Sequence, residues 1–439
     1  MGNNIRFLLV KVKNKDLRAT CPDLPLERGK YIWGYKTMYK SLKAVNSPRL
    51  LKIMVVPVLL TLWTGQASTQ EDALEEILVT AERREVSLQD TAISITAFTG
   101  EQLAQAGVET SEQLTGFTPG LNIQRDVIGK VVMRGIGTEN FTVAGDPGVA
   151  VSIDGAYLSR SNVAIFDLYD LDRVEILRGP QGTLYGRNAT GGAINFITGK
   201  PTEEFDGYIS ADYGNYDKIR VEGAISGPIG DNISARLSGL SHNRDGFTDN
   251  IFPGVGSGLD ELDDKDLWAI RGQLEFRPSD TLTVLVSADN YEDDSIASPY
   301  KYTADPLIYF GGAPFPNPLG SDLFTVSQGY ELDTPGFPDW RAPSPGQASQ
   351  TGVNGTITWD ITPGLTVKSI SAWRDMSFEW LNDGDGIEAY LVNYWQDDSS
   401  ELFTQELQLL SDTGGKLNWI IGGYFLNEES DTRIGIPLP

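Results

Sequence analysis

Leu171–Thr198 reads LDRVEILRGPQGTLYGRNATGGAINFIT, and its pattern is two strands joined by a glycine-rich turn. Val174 and Ile176 alternate with Arg173, Glu175 and Leu177, the period of two that marks a half-buried strand. Gly179-Pro180 stops that strand, because proline has no N–H to give to a ladder. Gly182, Gly186, Gly191 and Gly192 follow, and the run Ala193-Ile194-Asn195-Phe196-Ile197 resumes as a second strand. So many glycines mean unusual torsions or a backbone pressed against a neighbour. Nucleotide binding does not fit. A phosphate loop needs four residues between its glycines and then Lys-Ser/Thr, whereas Gly182 and Gly186 enclose three and precede Arg187-Asn188. Gly135-Ile136-Gly137 likewise has no third glycine at Asn140.

Charge narrows the partners. The 439 residues carry a formal −25, unevenly spread: residues 1–52 hold 12 basic and 3 acidic residues, leaving 23 of 35 basic and 57 of 60 acidic residues in the rest. A body near −34 argues against nucleic acid, which needs basic surface. The single cysteine, Cys21, gives no disulfide framework, and the single histidine, His242, cannot build a His-rich metal site. One histidine also leaves no Ser/His/Asp set, so no catalytic residue, resident metal or cofactor is expected, and the protein does not read as an enzyme.

Residues 53–63, IMVVPVLLTLW, are too short for a membrane-spanning helix, which needs about 20 residues. With Lys40, Lys43, Arg49 and Lys52 before them and Gly65-Gln66-Ala67 after, they read as a secretory signal peptide. Met38 stands just ahead of that basic region, so translation from Met38 instead of Met1 is one expectation. Residues 1–67 are therefore read as an upstream extension plus signal, and 68–85 as a linker. Within the linker Glu75-Glu76-Ile77-Leu78-Val79-Thr80-Ala81 favours extended structure.

Residues 86–204 alternate short strands with two capping boxes, Thr99…Gln102 and Thr110…Gln113, with Gly107 and Gly116 placed to end the helices they start. That is a compact α+β domain. From 205 to 439 the pattern changes to alternating segments of about ten residues separated by turns, the signature of an antiparallel transmembrane β-barrel. Roughly nine strands can be counted; a plugged barrel needs about 22. An unclosed barrel leaves strand edges unsatisfied in lipid, so the expectation is a truncated piece of a longer protein. Trp268, Trp359, Trp373, Trp419 and Tyr424 sit near strand ends, where aromatic girdles form. Ser295 to Gln350 reads as a long external loop for sampling ligand, and the acidic loop 260–266 as a solvated loop, with Ca²⁺ binding as the alternative although regular EF-hand spacing is lacking.

Residues Val174–Thr198, an R-G-P…L-Y-G…G-G-x-I-N run, resemble the plug signature of the TonB-dependent outer-membrane receptors, with Gly179, Pro180, Gly182, Tyr185, Gly186, Gly191, Gly192 and Asn195 at the motif positions. The resemblance implies a plug inside a barrel in the outer membrane of a Gram-negative bacterium. Such a receptor takes up a scarce small-molecule nutrient, most often a ferric siderophore; cobalamin, haem and carbohydrate are the other solutes it leaves open. It implies a TonB-type periplasmic transducer as partner, with Glu76, Ile77, Leu78, Val79, Thr80 and Ala81 as the TonB box that adds a strand to it. The short linker leads to the expectation of transport without an extra signalling domain. The resemblance also implies plug arginines facing barrel glutamates, here Arg134 and Arg178 with Glu406. A passive porin or adhesin barrel, without box or plug, is the rival from another class.

Overall fold

The computed structural model describes residues 5–7, 12–13, 78–80, 83–84, 86–89, 91, 93–125, 129–138, 145–160, 164–249, 261–295, 307–310, 313–316, 347–383, 393–412 and 417–435. The signal segment and both candidate start methionines lie outside them.

Two short strands, β1 (Leu78–Val79) and β2 (Val86–Ser87), pair antiparallel. Strand β3 (Ile95–Thr99) then turns directly into helix α1 (Gly100–Ala106). Thr99 Oγ1 accepts the Gln102 N–H at 3.1 Å and the Gln102 side chain accepts the Thr99 N–H at 3.1 Å, so the predicted capping box is present. Gly107, at φ 72°, closes the helix. The second box starts a 3₁₀ turn, Ser111–Gly116. Gly116 is the last residue of that turn and Phe117 caps it, so the expected glycine cap is displaced by one.

Strands β4 (Leu121–Arg125), β5 (Gly129–Met133) and β6 (Ile136–Gly137) form one small sheet. Strands β7 (Val149–Ile153), β8 (Ala156–Leu158), β9 (Leu171–Arg178) and β10 (Gly192–Thr198) join β3 in a second, ordered β8-β7-β10-β9-β3. The two strands read from the opening motif are β9 and β10, paired antiparallel from Arg178↔Gly192 to Leu171↔Thr198. Both of their faces are covered, and Val174, Ile176, Ile194 and Phe196 are buried in the core with Leu114 and Met133. Each such side chain stabilises the fold by about 1.5–3 kcal/mol.

Nine long strands follow in chain order as one antiparallel sheet: β11 (Asp206–Tyr213), β12 (Ile219–Gly230), β13 (Ile233–Arg244), β14 (Lys265–Ser279), β15 (Leu282–Asp293), β16 (Gln347–Thr362), β17 (Leu365–Asp383), β18 (Asn393–Ser411) and β19 (Trp419–Gly435). The order runs from β11 to β19 without closing; Ile5–Phe7 and Val12–Lys13 pair along the outer edge of β11. Tight turns at Asp231-Asn232, Asp280-Thr281 and Pro363-Gly364 alternate with long connections. Pro228 lies inside β12, two residues before its end.

The two faces of this wall differ as a lipid-embedded barrel requires. On β14, Leu267, Ala269, Arg271 and Gln273 are buried toward the plug, while Trp268, Ile270, Leu274 and Phe276 are exposed on the other face. Across the strands the exposed face carries Val221, Ile225, Leu237, Val286, Ile357 and Leu407. Trp268 and Trp359 are on that face near strand ends; Tyr424 stands opposite Glu406 and shares its inward phase, so it is no girdle residue. Plug and wall belong to one compact unit spanning Glu76–Pro439.

Candidate functional site

The segment Leu78–Thr80 does not hang free. Val79 is fully buried with Ala97, Ala150, Leu177, Ala189 and Ala193. The Thr80 N–H donates to Glu175 Oε1 at 2.8 Å, and its hydroxyl lies 3.1 Å from both carboxylate oxygens. Glu175, on β9, is itself fully buried, and Arg173 Nε at 2.9 Å and Asn195 Nδ2 at 3.4 Å also donate to it. Asn195 Nδ2 donates as well to the Tyr185 hydroxyl at 2.9 Å, and burial pushes that phenol up to about 12. Of the other box positions, Glu76, Ile77 and Ala81 lie outside the described residues.

The glycines of the signature make this packing possible. A Cβ on Gly192 would lie 2.2 Å from Met133 Sδ and 2.3 Å from the Leu177 carbonyl oxygen, so only glycine lets β10 lie this close to β5 and β9. Gly179, at φ 108°, lets its N–H reach the Gly191 carbonyl at 2.9 Å, which folds the loop back after Pro180. Gly182 and Tyr185 bound a single helical turn that ends at Gly186.

Glu406 faces the plug, as its phase opposite Leu407 and Leu409 requires, but its partner among the described residues is Arg83, at 3.3 Å. Arg83 leaves the Leu78–Thr80 segment and also stacks over the Tyr185 ring, 4.5 Å from its centroid. The expected partners go elsewhere. Arg134 sits in the turn between β5 and β6 at φ 51°, and its Nη2 donates to Ser94 Oγ at 3.1 Å. Arg178 ends β9, where its backbone N–H donates to the Ser94 carbonyl at 2.8 Å; among the described residues its side chain makes no ion pair with Glu406.

Further contacts join plug to wall, at residues sequence reasoning did not single out. Asp170 accepts from Arg236 Nε at 2.9 Å, and both are buried. His242 Nδ1 lies 2.6 Å from Asp167 Oδ2, and Lys265 Nζ lies 3.6 Å from Asp167 Oδ1. Burial pushes the Asp167 carboxyl up, but Lys265, His242 and Arg220 outweigh it and hold it well below the usual carboxylate range. Lys218 pairs with Glu109 at 2.6 Å, and Gln273 Nε2 donates to Thr198 Oγ1 at 2.9 Å. Arg160 pairs with Glu428 and donates to Ser430 Oγ at 2.9 Å. Arg271 stacks over Tyr169, 4.6 Å from its centroid. A usable signal was present in the chain: Arg236, His242, Lys265 and Arg271 occupy the strand phase opposite the apolar, lipid-facing residues. In the acidic loop, Asp263 is engaged by Arg244 and Thr248.

Residues 87–193 match the family model described as TonB-dependent Receptor Plug Domain. That stretch is similar to a TonB-dependent receptor plug. Among curated relatives, the pesticin receptor of Yersinia pestis is 32% identical over 213 residues, 48% of this chain and 31% of that protein. The vitamin B12 transporter of Photobacterium profundum is 22% identical over 404 residues, 87% of this chain and 61% of that protein. Among solved structures, the ferric yersiniabactin uptake receptor FyuA from Yersinia pestis aligns with a TM-score of 0.63 at 24% identity, covering 79% of this chain and 50% of that one. The pyoverdine-bound FpvA of P. aeruginosa aligns at 0.58 and 20% identity, covering 81% and 45%. At these identities the structural likeness shows the fold alone: a small α+β domain against an antiparallel barrel-type wall. The chain spans about half the length of these receptor structures.

Proposed function

We propose that this TonB-dependent plug and its wall serve active uptake of a scarce solute, a ferric siderophore or related iron chelate, across the outer membrane of a Gram-negative bacterium. The observation that carries the reading is a strand-forming segment, Leu78–Thr80, docked on the plug and followed at once by Arg83, which reaches the wall at Glu406. Such a segment can add a strand to a periplasmic TonB-type transducer, where main-chain hydrogen bonds supply the affinity. Pulling on it acts directly on β9 through Glu175, so force reaches the centre of the plug sheet. A relative named for ferripyoverdine reception and a solved structure named for ferric yersiniabactin uptake support the iron-chelate class. Cobalamin is the second reading, since the vitamin B12 transporter matches along most of this chain. Uptake of radiolabelled iron chelates by cells making the protein, with and without residues 76–81, tests the proposal. Energy-dependent uptake that the deletion abolishes supports it; equal uptake in both strains defeats it.

A further inference from the structure

The lipid-facing side of the wall should be apolar throughout its height, and on β12 to β15 Ile225, Leu237, Ile270, Leu274 and Val286 keep it so. On β17 and β18 the pattern breaks. Register sets Ser369 opposite Leu407 and Ser371 opposite Gln405. Leu407 and Phe403 are exposed, while the alternate residues Ile370, Ala372, Thr404 and Gln408 are buried, so both serines and the glutamine lie in the outward phase.

Depth decides what these residues cost. Strand β17 starts at Leu365 beside the turn Pro363-Gly364 and meets water again at Asp375, which is exposed opposite Glu401. At about 3.3 Å per residue and a tilt near 40°, that run rises roughly 25 Å, the height of the apolar band of an outer-membrane wall. Ser369 and Ser371 stand halfway along it. They therefore sit at the mid-plane of the hydrocarbon, where a polar group is least tolerated.

The three side chains satisfy one another in part. Ser371 Oγ donates to Gln405 Oε1, and Gln405 Nε2 donates to Ser369 Oγ at 3.0 Å and to the Glu406 carbonyl at 3.1 Å. Both amide protons are thus used. The Ser369 O–H has no acceptor among the described residues, and Gln405 Oε1 keeps a second lone pair. One unused donor and one unused acceptor are left side by side. The surface is also low here. Gly355 lies next to Ser371 and Gly423 next to Leu407, and a Cβ on either would meet nothing within 4 Å.

Between proteins in hydrocarbon, close approach at small residues and hydrogen bonds across the contact drive association. An acyl chain can fill the two depressions but has no group for the Ser369 hydroxyl or the Gln405 carbonyl. A second copy of this chain has both. Two copies in one membrane share an orientation, so a two-fold axis along the membrane normal relates them and keeps each residue at its own depth. Ser369 and Gln405 touch and so share a depth, and across that axis the donor of each copy meets the acceptor of the other. The face of β16–β19 is about 19 Å wide over the apolar height. With side-chain relief that gives roughly 600 Å² per copy, the lower end of a specific interface.

We propose that the lipid-facing side of β16–β19 is a contact between two copies of this chain in the membrane, closed by Ser369 and Gln405. The inference goes beyond the uptake reading and does not depend on it.

The test uses the full chain in native membranes. Cys21 is the only cysteine, so Cys21→Ser gives a blank background. Leu407→Cys places a thiol at the centre of the patch, and Ile225→Cys places one on the lipid-facing phase of β12; the native side chains are 55% and 52% exposed, so accessibility is matched. Both proteins are treated with a short bismaleimide and run on denaturing gels. The contact predicts at least about fivefold more cross-linked dimer from Leu407→Cys than from Ile225→Cys. Adding Gln405→Leu to Leu407→Cys should bring the yield down to that of Ile225→Cys, although it makes the surface more apolar. The first comparison leaves the polar groups intact, so it stands even if Gln405→Leu fails to assemble. Equal yields from the two thiols, a yield that Gln405→Leu leaves unchanged in assembled protein, or links from Leu407→Cys only to a protein of another mass would each overturn the proposal.

Discussion

Replacing Glu175 by Gln should loosen Leu78–Thr80 without unfolding the plug. Glu175 is fully buried, and its two carboxylate oxygens accept from the Thr80 N–H and hydroxyl, Arg173 and Asn195. The amide keeps the volume of the side chain but turns one acceptor oxygen into a donor facing other donors. A hydrogen bond to a charged group contributes about 1.5–3 kcal/mol, and the Thr80 N–H loses its charged acceptor. At about 1.4 kcal/mol per factor of ten, the docked-to-undocked ratio should fall roughly ten- to a hundredfold. Val79, buried among small side chains, retains its apolar contribution, so docking weakens without vanishing. Hydrogen exchange at the Val79 and Thr80 amides reads this ratio directly. The prediction is exchange faster by that factor at these two amides, with β9 and β10 amides near Ile176 and Ile194 unchanged. Unaltered exchange at Val79 and Thr80 would refute the assignment of Glu175 as the group that holds the segment. Uniform acceleration through β9 and β10 would show that Glu175 supports the whole sheet instead.

Asp170→Ala leaves Arg236 buried without its carboxylate and should cost about 3–5 kcal/mol in urea unfolding of the plug, whereas Asp172→Ala, at an exposed site, should cost under about 1 kcal/mol. Leu78→Pro should abolish uptake while heat-modifiable migration on gels shows the wall still assembled. Lowering the pH should release the plug contact at Asp167. Its carboxyl titrates below the 3.8 of a free carboxyl, so its stabilising contribution is present above about pH 4 and is lost as pH falls toward the lowered folded value. Amide exchange around Leu168 should accelerate in that acid window in the native protein and not in Asp167→Asn.

The motif at Leu171–Thr198 and the capping boxes were legible because their signals are local. A proline, a glycine or a Thr…Gln spacing constrains backbone within a few residues. Wall strands were legible in their lipid-crossing parts, where one phase must be apolar. Their other ends were not. Sequence alternation ends β17 near Trp373 and starts β18 near Glu401, but the strands continue to Asp383 and start at Asn393. Beyond the apolar band both phases turn polar, and the strand pattern disappears while the hydrogen-bond ladder goes on. Long-range pairings were the least legible. Glu406 was placed correctly on the inward face, yet its partner is Arg83, 323 positions away in the chain, and neither Arg134 nor Arg178. Nothing in spacing distinguishes Arg83 of the linker from Arg134 and Arg178 of the plug as the partner of Glu406. Docking of Val79 was hidden for the same reason, since its neighbours Ala97, Ala150 and Ala193 come from three separate strands. His242 looked unremarkable as a lone histidine, and only its inward phase beside Leu240 marked it.

Everything proposed here requires that the plug sit against the inner face of the wall. Zero-length carbodiimide cross-linking of the unmodified protein in membranes, read by peptide mass spectrometry, measures that contact. Lys200–Asp154, an ion pair inside the plug and its approach, serves as the internal control. The structure predicts a second linked peptide pair joining Glu109 of the plug to Lys218 at the top of the wall, whose charged atoms lie 2.6 Å apart. Recovery of the Lys200–Asp154 link with Lys218 joined only to carboxylates of the wall would contradict it.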